Sequence, residues 1–151
     1  MEKIKEYIDL IPFGSIWTWA AGFLGSAAAA LFGGWDIAVQ ALLIFIGVDV
    51  ISGLVVAGVF KKSGKTDGGA LNSRTMWQGL LRKVFTLVIV ALAAELDRVL
   101  DTHIFRDATV IAYIINELLS IVENVGLMGV PIPDAVKKAI EILKNKEKEH
   151  V

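Results

Sequence analysis

From Leu10 to Trp35 the chain runs for twenty-six residues without one ionisable side chain. About 20 apolar residues carry a helix across the hydrocarbon core of a bilayer. The run reads LIPFGSIWTWAAGFLGSAAAALFGGW, with Trp17 and Trp19 towards one end and Trp35 at the other. Tryptophan concentrates where helices meet lipid headgroups. The segment is therefore read as a membrane span. It exceeds the roughly 7–15 apolar residues of a cleaved signal core, so it is expected to be retained although Lys3 and Lys5 precede it.

The rest of the chain agrees. Of 151 residues 55% are hydrophobic and 21% charged, and the mean hydropathy is +0.62. One small domain fits this length, and if most of it lies in lipid little remains for a soluble catalytic unit. There is no cysteine, which removes disulfides, thiol nucleophiles and thiolate metal sites. His103 and His150 are too far apart to share a metal. Gly64-Lys65-Thr66 echoes the end of a phosphate-binding loop, but Val59 stands where that motif needs a glycine and Asp67-Gly68-Gly69 follows where a helix should open. The stretch is read as a flexible basic connection. It lacks the interleaved aromatics of a nucleic-acid surface. No enzyme, cofactor or metal is expected, and no nucleic-acid partner.

Four apolar segments follow one another: helix 1 at about Ile11–Phe32, helix 2 at Ile37–Phe60, helix 3 at Leu80–Leu96 and helix 4 at Ala108–Leu127. Gly129, Pro131 and Pro133 then break the chain. A charged tail follows, with Val136, Ala139, Ile140 and Leu143 at helical spacing, as in a short amphipathic helix. The fold class is thus an all-α integral membrane bundle of about four spans, with residues 1–128 as the transmembrane domain and 129–151 as a charged tail. The uncharged part of helix 3, Val84–Ala94, is short for a span. Charge asymmetry argues for it. Lys61, Lys62, Lys65, Arg74, Arg82 and Lys83 crowd the connection before helix 3, and Lys137, Lys138, Lys144, Lys146 and Lys148 crowd the tail. Positive segments stay cytoplasmic, and four spans put both there, with both termini inside.

Within the spans, two patterns stand out. In helix 1, Gly22, Ser26, Ala30 and Gly34 recur every four residues beside a row of Gly25, Ala29 and Gly33. Small rows let helices approach closely in lipid, either against Gly53 and Ala57 of helix 2 or against another protomer. In helix 4, Thr109, Tyr113, Asn116, Glu117, Ser120, Glu123 and Asn124 share one arc at about 100° per residue, opposite an Ile/Leu/Val face. That face suits a polar partner or an aqueous lumen. Its acidity sets it apart from interfacial helices, which are usually rich in Lys and Arg. Asp49 sits alone in the middle of helix 2, and an acid at that depth is read as functional. Its structural alternative is an ion pair with Lys83 or Arg82. Asp97 is read as a boundary residue. Glu117 and Glu123 form no recognisable catalytic pair.

Several segments carry a family resemblance: DVISGL at Asp49–Leu54, Asn72-Ser73, GLLRK at Gly79–Lys83, AELD at Ala94–Asp97, and above all INELLSIVENVGLMGVPIP at Ile115–Pro133. Over roughly its last two-thirds the chain resembles the phage lysis and toxin-secretion holins. The resemblance implies a protein that gathers in the host bacterial cytoplasmic membrane, forms homo-oligomers in the lipid bilayer, and opens lesions. An endolysin or a large toxin then leaves as cargo without stable binding. On that reading Asp49, Asn116, Glu117, Ser120, Glu123 and Asn124 form the polar or pore face. Gly22, Gly25, Ser26, Ala29, Ala30, Gly33 and Gly53 serve helix packing. A small channel or transporter subunit and a membrane scaffold are the alternatives.

Overall fold

Charge and hydropathy are distributed inside out. In the computed structural model, which describes residues 13–66, 68–139 and 142, the buried side chains include Asp49, Ser52, Asp97, Arg106, Glu117 and Asn124. Ile44, Ile51, Leu92, Ile111 and Leu118 are exposed instead. Charged residues are almost never fully buried in water-soluble domains unless paired, and broad exposed apolar surface marks contact with a partner or a membrane. Lipid is the solvent that suits this surface.

Four long helices lie among the described residues: α1 (Phe13–Leu31), α2 (Ile37–Val55), α3 (Ser73–Leu100) and α4 (Ile104–Leu127). No strand occurs among the described residues. A π-helical turn, Val56–Phe60, extends α2 and ends at Lys61 in the left-handed region. Two stretches, Ile37–Phe60 and Ile104–Leu127, are long and apolar enough to cross a membrane, and α1 contributes a shorter apolar helix. Helix 3 is longer than expected. The reading Leu80–Leu96 followed only the apolar residues, whereas α3 has 28 residues, or about 42 Å of helix at 1.5 Å per residue. Asn72 caps its start, accepting from Arg74 N (2.9 Å) and Thr75 N (3.3 Å). Asp101, left-handed at φ 52°, ends it.

The three helices α2, α3 and α4 pack along one seam with a period of seven residues. Leu42, Val90 and Val110 meet in a buried apolar layer backed by Phe32, Ile46, Leu87 and Ile114. Seven residues on in α2 and α4, and seven back in α3, stand Asp49, Glu117 and Lys83. Seven residues are two helical turns, about 10 Å. The reversed direction in α3 shows that it runs antiparallel to its two neighbours. The seam therefore has an apolar layer nearer the short turns and a charged layer nearer the long 61–72 connection.

That connection, expected as a flexible loop, carries turn hydrogen bonds of its own among the described residues. Ser63 N donates to Gly69 O (2.9 Å), Gly69 N to Thr66 O (3.0 Å), and Thr66 Oγ1 to Ala70 O (2.9 Å). Gly69 has φ +66°, and a Cβ built there would lie 2.2 Å from the Lys61 carbonyl oxygen. Gly69→Ala is expected to spring this turn, since a strained left-handed residue alone costs on the order of 1–3 kcal/mol. Limited proteolysis should then cut the connection faster than in the parent; equal rates would show that the turn contributes nothing.

α1 stands apart. A Cβ added at Gly22 or Gly25 meets no atom within 4 Å, and Ser26 turns back to Gly22 O at 2.8 Å. The small row therefore does not pack on helix 2, and Gly53 lies against Asn124 of α4 instead. The C-terminal end of α1 is engaged by α3 and α4. Ala29 is half-buried, Ala30 O accepts from Arg98, and Gly33 faces Ala94 and Arg106. Residues 134–139 are helical, while Ile140 and Leu143 of the expected tail helix, like Ile11 at the start of helix 1, lie outside the described residues.

Candidate functional site: a charged layer in the helix seam

Asp49 is delivered to the seam by a helix with no other charge, and the seven-residue period aims it at α3 and α4. Its Oδ2 lies 2.7 Å from Lys83 Nζ, and the same ammonium bonds Glu117 Oε2. Asp49 is 6% exposed, Glu117 2% and Lys83 19%. Of the two cations that could pair with Asp49, Lys83 is the one in place. Arg82, one residue earlier, points outward. A second set of bonds joins the layer one turn further along. Asn124 Nδ2 donates to Asp49 Oδ1 (3.2 Å) and to Ser52 Oγ (2.9 Å), and Ser52 Oγ donates to Asp49 O (3.0 Å).

The polar arc of α4 is thereby divided. Glu117 and Asn124 turn into the seam, Ser120 is half-buried, and Asn116 and Glu123 are exposed. Asp49 is brought together with the first two and not with the outer pair. In an apolar medium a polar group without a partner is expensive, and a buried ion pair needs additional hydrogen bonds to offset its desolvation. The amide of Asn124 supplies one such bond to Asp49. Among the described residues no three His, Cys, Asp or Glu side chains gather as metal ligands do.

The opposite end of the seam is tied by residues that sequence reading missed. Arg106 is buried; its Nε donates to Phe32 O (2.6 Å) and its guanidinium reaches Asp36 Oδ2 (2.6 Å) and Asp107 Oδ1 (3.0 Å). Asp97 sits at the turn, where a boundary residue is expected, but it is buried and performs the capping of α4. Its carboxylate accepts from Phe105 N (3.2 Å), Arg106 N (2.7 Å) and Thr102 Oγ1. The formal cap, His103, makes no such bond, so the free amides of the first turn are served by the end of the preceding helix. Gly33, at φ +73°, leaves room for this: a Cβ there would lie 3.2 Å from Arg106 Cδ.

Asp36 ties the same corner. Its carboxyl is held below its ordinary 3.8, first by the hydrogen bond from Val39 N–H; burial opposes this, and Arg106 adds to it. A lowered carboxyl contributes stability above its unfolded pKa and loses it as pH falls through the folded value. Acidification below pH 3.8 should therefore loosen the 32–37 corner. Thermal melts of Asp36→Asn against the parent should show a flatter dependence over that range. Parallel curves would remove Asp36 from the tie.

Comparison with known proteins gives this arrangement a family. The model of the bacteriophage holin family matches residues 26–145. An uncharacterised protein of Halalkalibacterium halodurans is 43% identical over 136 residues, covering 85% of this chain and 94% of its own length. An uncharacterised 14.9 kDa protein of Clostridium perfringens is 36% identical over 97% of this chain and 100% of its own. A probable holin of Bacillus phage phi105 is 32% identical over 69% of this chain and 72% of its own. No solved structure matches significantly. The match spans the charged layer, the 61–72 connection and the Arg106 corner alike: the chain is a membrane protein that belongs to the bacteriophage holin family.

Proposed function

We propose that this protein is a working holin: a multi-pass protein of the bacterial cytoplasmic membrane that assembles with copies of itself and opens lesions through which an endolysin or a large toxin escapes. One observation supports this beyond family membership. Asp49, Lys83, Glu117 and Asn124 form a charged layer inside a body whose outside is apolar. In the separate protomer the layer is closed by its own contacts, two carboxylates sharing one ammonium. In an assembly whose helices have rotated or parted, the same groups can be satisfied by water. α1 adds a small-residue face, Gly22, Gly25 and Ser26, that no other described helix covers and that suits close helix contact in lipid.

The proposed topology has four spans with both termini in the cytoplasm, because the basic 61–83 region and the basic tail then share the positive side. Location reporters fused after Gly69 and at the C-terminus should both be active inside; a periplasmic tail would exclude four spans. The function is tested by inducing the full chain in bacteria that also express a cytosolic muralytic enzyme. Growth should stop abruptly, membrane potential should collapse and the enzyme should reach the cell wall. Loss of potential without enzyme release would favour a small channel, and neither event would favour a scaffold.

A further inference from the structure

Arg82 stands level with the charged layer but on the other side of its helix. Its neighbour Lys83 reaches inward to Asp49 and Glu117, whereas Arg82 is exposed on the outward face. Asp49 lies eleven residues before the loop-side end of its span, Phe60, and Glu117 lies ten before Leu127. At 1.5 Å per residue that is about 15 Å, half of the roughly 30 Å hydrocarbon thickness. A guanidinium rooted at that depth on an apolar outside is costly. The cost is relieved by snorkelling and by drawing headgroups and water inward.

α3 supplies the route. Helical side chains lean towards the N-terminus of their helix, so Arg82 leans towards the 61–72 connection. In that direction Gln78 stands one turn away and Arg74 two turns away. With Leu81 and Phe85 these residues share an arc of about 100°, and all five are exposed. Trp77, 62% exposed, flanks them, and tryptophan favours the headgroup level. No carboxylate among the described residues pairs with Arg74 or Arg82. A second copy lying the same way up offers no counter-charge at this level. Asp36, Glu95, Asp101 and Asp107 are exposed towards the opposite end of the seam, and Asp134 lies beyond the end of α4. Glu123 already has a partner of its own. What remains to meet the arginine is the lipid.

We propose that this outward face of α3 is a binding site for an anionic phospholipid. The Arg82 guanidinium and the Gln78 amide donate to its phosphate, Arg74 supplies a second cation at headgroup level, and the acyl chains lie along Leu81 and Phe85. Guanidinium matches phosphate with two parallel hydrogen bonds. A zwitterionic headgroup brings its own ammonium, which finds no carboxylate on this face, so it should bind more weakly. The phosphate follows the arginine inward, and the bilayer is thinned against α3. The inference concerns the folded protomer in a bilayer and does not depend on lesion formation, so its failure and that of the proposed function are separable.

The test uses the full chain with Trp17, Trp19 and Trp35 replaced by Phe, so that Trp77 alone reports. It is reconstituted in phosphatidylcholine vesicles containing a minor share of phosphatidylglycerol brominated near the headgroup end of its chains, or the same share of equally brominated phosphatidylcholine. Bromine quenches tryptophan on contact. Quenching by phosphatidylglycerol should correspond to a local share on the order of fivefold above its bulk share, as one basic residue at an anionic surface predicts. Arg82→Gln should bring the two quenchers level. Arg82 is exposed and makes no ion pair, so the variant should melt with the parent; if it fails to fold, Arg74→Gln must still lower the preference. Lys62→Gln with Lys65→Gln removes two charges from the neighbouring connection and should leave the preference in place. Equal quenching by the two lipids in the parent, or a preference that survives Arg82→Gln, would overturn the assignment. A preference lost equally in the double lysine variant would reduce it to general surface charge and overturn it as well.

Discussion

Replacing Lys83 by methionine should destabilise the folded protomer on the order of 3–5 kcal/mol, the usual result of removing one partner from a buried ion pair. The magnitude follows from what stays behind. Asp49 and Glu117 are 6% and 2% exposed, and without Lys83 they face each other across the seam as two carboxylates with no cation. Whole domains are stable by about 5–15 kcal/mol, so the loss is a large share of the total. It should appear as a lowered melting temperature in detergent and, in cells, as early, poorly timed opening or failure to accumulate. The triple variant Asp49→Asn, Lys83→Met, Glu117→Gln should recover most of the stability, since replacing a whole buried pair is often neutral. A Lys83→Met protein that melts with the parent would show that Lys83 is not the counter-ion of this layer. Failure of the triple variant to recover would mean that Lys83 contributes packing rather than charge.

Which features could be read in the amino-acid order depends on whether the information is local. The second helix was legible end to end, because Asp36 and the turn before it mark the start and Lys61 the end of an apolar run broken only by Asp49. The polar arc of α4 was legible because a 3.6-residue period sorts it. That Glu117 and Asn124 turn inward while Asn116 and Glu123 turn out was not, since the division depends on where α2 and α3 lie. The length of α3 was hidden because its ends are polar: Ser73–Gly79 and Asp97–Leu100 belong to the helix through the Asn72 cap and the Asp101 end, not through hydropathy. Arg106 went unnoticed for a similar reason. Its partners, Phe32 and Asp36, are 74 and 70 residues away. Only the nine-residue spacing between Asp97 and Arg106 hinted that the end of one helix caps the next.

The proposed opening makes a sharper demand on α4 than on any other element. In the sealed protomer Asn124 is bonded to Asp49 and Ser52, and Ser120 lines a cavity beneath the 61–72 connection. If assembly turns this face towards an aqueous lumen, these positions must pass from protein surroundings to water, while Leu118, exposed on the apolar outside, stays in lipid. The chain has no cysteine, so single cysteines at Ser120, Asn124, Leu118 and Val122 report without background. Before triggering, a membrane-impermeant thiol reagent should label Asn124→Cys slowly; after triggering, Ser120→Cys and Asn124→Cys should label strongly and Leu118→Cys and Val122→Cys hardly at all. Ser120→Leu with Asn124→Leu should insert normally and release no muralytic enzyme, because an apolar face has nothing to gain from water, while the lost Asn124 bond to Asp49 lowers the stability of the seam. Equal labelling on both faces would mean that α4 lies in the membrane interface. Labelling at Asn124 that is the same before and after triggering would mean that the charged layer is not what opens.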